Sequence, residues 1–122
     1  MRRRRMMMMS QPVKKPDKKK NLIKVCLDCS AACDLAIQYI EGHPEGFTDQ
    51  LIKLLNDCSS YIELMAEFLG RDSEFSKPVC EVGRSICARC KEECDKYPDV
   101  AELKKVAHEC EQCINACGAY LS

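Results

Sequence analysis

A chain of 122 residues with 46% apolar side chains can bury one core, but 6% aromatics and no Trp leave that core to aliphatics and thiols. Eleven cysteines against five Gly and five Pro argue against the loop-rich disulfide scaffold of small secreted domains, and an odd number cannot pair completely within one chain. Nineteen basic and 19 acidic side chains cancel overall, yet the first 20 residues carry nine of the basic ones and a single acid, Asp17.

That opening stretch reads as a disordered basic tail (residues 1–20) ahead of a bundle domain (residues 21–122). No Phe, Tyr or Trp is interleaved with its charges, so bases have nothing to stack on and nucleic acid is not an expected partner. Four Met followed by Ser10, Gln11 and Pro12 do not supply the apolar stretch of a secretory signal. No run approaches the roughly 18 apolar residues of a membrane span. The expected compartment is therefore the cytoplasm, where thiols stay reduced. Met6 to Met9 read either as thioethers attractive to a soft metal or as alternative start sites.

Four helix-length segments follow. The first runs from about Leu22 to Glu41 and stops at Gly42-His43-Pro44-Glu45-Gly46. The second runs from about Asp49 to Leu69, with Thr48 as N-cap and Gly70 just past its end. The third begins near Ser76-Lys77-Pro78, where Pro in the first turn costs no hydrogen bond, and runs to about Tyr97. The fourth follows Pro98, with Asp99 and Glu102 spaced as a capping box, and ends near Leu121. Equal helices joined by short connections predict an all-α, antiparallel up-down-up-down four-helix bundle.

Each segment carries one buried stripe at alternating steps of 3 and 4. The first offers Leu22, Cys26, Cys29, Cys33, Ala36 and Ile40; the third Cys80, Gly83, Cys87, Cys90, Cys94 and Tyr97; the fourth Leu103, Val106, Cys110, Cys113, Cys117 and Tyr120. The second differs: Leu51, Leu54, Leu55, Cys58, Ile62, Met65 and Leu69 make a mostly hydrocarbon face. In the other three, C-x2-C-x3-C replaces the leucines a bundle would use. Exchanging Leu for thiols sacrifices buried volume at a cost of about 1 kcal/mol or more per site, so the repeat points to metal or redox chemistry. Cys58, alone on its helix, would by itself read as a small hydrophobe.

The ligand type narrows the metal. Structural zinc wants four ligands in a closed site, usually with C-x2-C on tight turns, whereas these pairs lie mid-helix and eleven does not divide into fours. His108 lies about 200° around its helix from Cys110 and reads as a surface residue. An iron–sulfur run needs loop amides that helices have already committed, and a thioredoxin-like site needs a strand before its C-x-x-C. Copper(I) is soft, prefers thiolates and accepts two or three of them, so an odd ligand count is no obstacle. Structural zinc and a metal-transfer or sensing module stay as the alternatives. No His–carboxylate pair falls on a stripe and no Gly-rich phosphate loop is present, so an enzyme is not expected.

Over residues 22–121 the sequence resembles the cysteine-rich four-helix-bundle copper-binding proteins, relatives of the bacterial copper storage proteins. The resemblance rests on Cys26-x2-Cys29-x3-Cys33, on Cys58, on Cys80 with the CARCKEEC stretch holding Cys87, Cys90 and Cys94, and on Cys110-x2-Cys113-x3-Cys117. It implies several Cu(I) ions held by these eleven cysteines, storage or buffering without catalysis, and frequent homo-oligomers. Gly83 and Arg84 stand where the family often continues with thiols, and the second helix keeps one Cys, so lower capacity is implied. Met65 reads as a flexible core filler or an auxiliary thioether. Antiparallel order puts Cys26, Cys80, Cys117 and Met65 near one end and Ile40, Leu51, Leu55 and Leu103 at the other, with Cys94 the thiol nearest that second end. The second end is expected to be a plug, with copper arriving near Cys26 and Cys117, beside the tail. His43, in the far loop, is not an expected ligand.

Overall fold

The computed structural model describes residues 17–122; residues 1–16, with the expected disorder of the tail and Met6 to Met9, lie outside the described residues. Among the described residues four helices form: α1 (Lys18–Gly42), α2 (Asp49–Gly70), α3 (Ser76–Cys94) and α4 (Ala101–Leu121). Each packs on its chain neighbours and α4 returns to α1, closing a four-membered ring around one axis. Connections of five or six residues force each helix to reverse, giving the antiparallel bundle. Among the described residues no helix is long and apolar enough to cross a membrane.

The helix ends follow local chemistry. Thr48 caps α2 by accepting from the Leu51 amide at 3.1 Å, as its position predicts. Asp17 does the same for Lys20 N and starts α1 at Lys18, so Lys18, Lys19 and Lys20 are helical although charge alone assigned them to the tail. The Asp17 carboxylate also offsets three lysines at the positive end of the helix dipole. Helix α3 ends at Cys94, three residues short of Tyr97. The residue before a proline is disfavoured in the helical region, and the Tyr97 amide turns back onto the Cys94 carbonyl at 3.0 Å. The expected capping box at Asp99 does not form. A turn from Val100 N to Tyr97 O makes Val100 the N-cap of α4, with no side-chain cap.

The stripes meet in a single core. Leu22, Cys26, Cys29, Cys33 and Ala36 on α1 are fully buried, as are Leu51, Leu55, Cys58, Ile62, Met65 and Leu69 on α2. Leu54 is only half-buried, one step off the stripe. Tyr97 and Tyr120 are likewise half-buried, Tyr97 packing on Phe47 in the α1–α2 connection. Full burial of each Leu or Ile is worth about 1.5–3 kcal/mol, so α2 contributes a large share of the hydrophobic stabilisation. Between α1 and α2, buried Ser30 bonds to the Ser59 carbonyl at 3.1 Å and Ser59 donates to Asp34, which fixes the register of that pair.

Candidate metal centre

All eleven cysteines are free thiols, and all face the axis. The 3- and 4-residue steps that make a helix bury one stripe put its thiols one above another, and four such stripes interleave. At mid-height Cys29, Cys58, Cys87 and Cys110, one from each helix, bring their sulfurs within 4.8 Å of one another. A second group, Cys33, Cys58 and Cys90, meets the same limit and shares Cys58 with the first. Cys29 Sγ lies 3.8 Å from Cys110 Sγ, and Cys58 Sγ lies 4.0 Å from it.

The remaining thiols extend this cluster both ways. In one direction Cys113 neighbours Cys87, Cys26 and Cys117, and Cys117 neighbours Cys80. In the other, Cys90 neighbours Cys94. The eleven sulfurs therefore form one unbroken column from Cys80 to Cys94. With metal–sulfur bonds of about 2.3 Å, sulfurs around one ion stand about 3.8 Å apart in a tetrahedron, 4.0 Å in a triangle and 4.6 Å in a line. The central spacings already lie in that range.

Among the described residues, no Lys or Arg is buried beside the column. Its buried polar companions are Ser30, Ser59, Ser76, Glu93 and Glu109. Glu93 is held by Arg89 at 2.9 Å and Lys96 at 3.2 Å, and Glu109 by Lys105 at 2.9 Å. Negative charge on sulfur must be borne by neighbouring S–H groups. Cys29 is held well below the ordinary thiol range by the donors that converge on it, Cys110 first and then Cys33, Cys58 and Cys87. Cys90 is lowered in the same way, by Cys110 and then Cys33, Cys58 and Cys94, and Cys113 by Cys117, Cys26 and Cys87. The partners shift oppositely. Cys26, Cys33, Cys87, Cys94, Cys110 and Cys117 are pushed up, first by hydrogen bonds to neighbouring sulfurs and then by burial. A soft monovalent cation relieves this conflict by replacing S–H protons with a charge that thiolates can share.

Both ends of the column are buried. Cys26, Cys80 and Cys117 are at 0% exposure, as are Leu22, Met65 and Leu69. Cys94, at 1%, borders a surface depression with Asp95, Pro98, Lys104 and Ala107, where the chain leaves α3. Neither end is open to solvent, the expected uptake point near Cys26 and Cys117 included.

Both histidines lie off the column. His108 is exposed, and His43 stacks on Tyr39 with its Nδ1 2.9 Å from the Tyr39 carbonyl. Cys58, which alone on its helix would read as a small hydrophobe and which the family resemblance counts among the ligands, belongs to both sulfur groups. Its position agrees, since it lies seven residues from both Leu51 and Met65, at the middle of the α2 stripe where the three triplets converge.

Known proteins share this architecture. The family model described as "Csp: Copper storage protein" matches residues 15–122. The cysteine-rich protein YhjQ of Bacillus subtilis (strain 168) is 29% identical over 76 residues, 62% of this chain and 70% of its own length. Csp3 of Bacillus subtilis in its Cu(I)-bound form superposes with a TM-score of 0.79 at 25% identity, over 87% of this chain and 100% of that one. Ccsp of Streptomyces lividans, loaded with 10 copper equivalents, shares the fold at a TM-score of 0.82 and 21% identity, covering 94% of this chain and 95% of that one.

Proposed function

This chain belongs to the copper storage protein family, and from that premise we propose that it stores or buffers copper in the cytoplasm as several Cu(I) ions held by Cys26, Cys29, Cys33, Cys58, Cys80, Cys87, Cys90, Cys94, Cys110, Cys113 and Cys117. It is a storage protein, not an enzyme. The observation that carries the ligand assignment is the unbroken column of eleven free, buried thiols centred on Cys29, Cys58, Cys87 and Cys110.

Storage follows from how the column changes on loading. Without metal, the eleven small sulfur side chains still fill the axis and the bundle is complete. Each Cu(I) that arrives displaces protons from the sulfurs it binds, so loading is opposed by acid and the core gains less charge than its thiolate count. Free thiols throughout support a reducing compartment. Association of copies is supported by Leu27 and Leu35, 49% and 59% exposed, which with Ala31 make an apolar stripe on α1; sedimentation would measure it.

The decisive experiment is an anaerobic Cu(I) titration against a chromophoric chelator, with elemental analysis of the protein as purified. Several tightly held Cu(I) per chain is the expected result. One or two would indicate metal transfer or sensing, and zinc confined to one site would indicate that the Cys29, Cys58, Cys87 and Cys110 group serves as a structural tetrahedron.

A further inference from the structure

Gly83 sits on the buried stripe of α3, three residues after Cys80 and four before Cys87, and is the one stripe position between them. Glycine inside a helix costs about 0.5–1 kcal/mol relative to alanine, so its presence calls for a steric reason. The reason is Met65. A Cβ added at Gly83 would stand 2.6 Å from Met65 Sδ, closer than such atoms are found, and 3.2 Å from Met65 Cε, a tight contact, so the thioether would have to move. The methionine of α2 thus crosses to the α3 backbone and puts its sulfur where the α3 stripe has no side chain.

Neighbouring sulfurs give the height of that thioether. Cys117 neighbours Cys80, Cys113 neighbours both Cys117 and Cys87, and Cys26 neighbours Cys113. Cys113 therefore spans the step on α3 from Cys80 to Cys87, which is the step occupied by Gly83. At this level α1 supplies Cys26, α4 supplies Cys113, α3 supplies no side chain, and α2 supplies a sulfur that is not a thiol. Met65 is fully buried and is the only methionine after residue 9.

We propose that Met65 Sδ is a twelfth sulfur donor, binding one Cu(I) together with Cys26 and Cys113. The step balances as follows: one Cu(I) enters, the thiols of Cys26 and Cys113 each lose a proton to form two copper–thiolate bonds, and the neutral thioether adds a third bond without releasing a proton. Three thiolates would leave two net negative charges in a level with no cation, whereas two thiolates and a thioether leave one. A thioether also favours Cu(I) over zinc, whose protein ligands are thiolate, imidazole and carboxylate. In the copper storage reading on which this rests, the level at Gly83 is a lower-charge copper site and not a gap in the column.

The test uses the full-length chain labelled with selenomethionine and loaded anaerobically with Cu(I), compared with Met65→Leu, which keeps a hydrocarbon of similar volume. X-ray absorption at the selenium edge should show selenium–copper scattering that is reduced in Met65→Leu, the difference isolating residue 65 from the tail methionines. In chelator competition, Met65→Leu should yield one Cu(I) equivalent about tenfold more readily than the parent, the other equivalents being unchanged. Gly83→Ala, which displaces the thioether while removing no sulfur, should reproduce that loss and covers the case in which Met65→Leu folds poorly. Identical selenium spectra in the parent and Met65→Leu, with full retention by a folded variant, would overturn the proposal while leaving copper storage intact. Failure of the parent chain to take up Cu(I) would overturn both.

Discussion

Along α2 the buried stripe runs Leu51, Leu55, Ile62, Met65 and Leu69 with one thiol, Cys58, whereas α1 and α4 each bury three thiols and α3 buries four. The four helices face the same axis and are buried to the same degree, so the difference lies in chemistry and not in position. Helix α2 supplies much of the hydrocarbon that holds the ring together in the absence of metal, and the other three supply most of the sulfur. Cys58 is where the two roles cross, because the hydrocarbon wall contributes its one thiol at the centre of the sulfur column.

The contrast can be broken from either side. Ile62→Ala should have the largest effect on folding, costing the metal-free bundle about 2–5 kcal/mol by urea denaturation while leaving Cu(I) stoichiometry of the folded protein unchanged. A proportional loss of copper would show that α2 is more than a wall. Cys58→Ala should do the reverse, costing about 1 kcal/mol of stability but removing more copper capacity than Cys80→Ala or Cys94→Ala, since two sulfur groups share it. Equal losses from all three variants would mean that the ions do not share ligands at Cys58.

The sulfur helices carry a pH signature that the hydrocarbon wall lacks. Cys26, Cys33, Cys87, Cys94, Cys110 and Cys117 are held above the ordinary thiol range, so the folded state keeps their protons more tightly than the unfolded chain does. Their contribution to stability is complete below the unfolded thiol pKa of about 8.5 and is lost as pH rises beyond it. Cys29, Cys80, Cys90 and Cys113 oppose this trend but are fewer. The urea midpoint of the metal-free protein should fall as pH rises from about 8.5 to about 10, and that of the copper-loaded protein should not. A rising midpoint would place the thiolates in a more favourable field than their surroundings provide.

Smaller effects sharpen the picture further. Cys94→Ala should slow Cu(I) uptake in stopped-flow mixing, whereas Cys26→Ser and Cys117→Ser should leave the early rate unchanged; slowing by the latter pair would return the uptake point to the opposite end. The smallest change is expected from stripping the metal, which should leave helical circular dichroism nearly intact because hydrocarbon and neutral thiols still fill the core. Collapse to coil would indicate a structural metal.

Much of the fold was legible because periodicity is a direct record of which face is buried. The 3- and 4-residue steps through Cys26, Cys29 and Cys33 and their counterparts placed ten thiols on the axis without reference to any partner helix. What periodicity cannot register is which side chains meet across the bundle: antiparallel order sorts the thiols along the axis, but the sharing of Cys58 between two sulfur groups and the approach of Met65 to Gly83 appear only when α2 lies against α3. Helix ends were misread where a turn competed with a capping motif. Pro98 pulled Tyr97 out of α3, and the turn at Val100 displaced Asp99 from the cap. That same early stop places a surface depression beside Cys94, a consequence invisible to any count of helical positions.

Sulfurs stacked level upon level along one buried axis make each ion's path depend on its neighbours, because Cys58 is shared between two groups. If Cu(I) enters beside Cys94, an ion near Cys80 and Cys117 leaves only after those nearer Cys94 have moved, and the last copper in is the first copper out. Loading with one stable copper isotope and topping up with another should therefore release the second isotope first, so that freshly acquired metal circulates while the deepest ions turn over slowly.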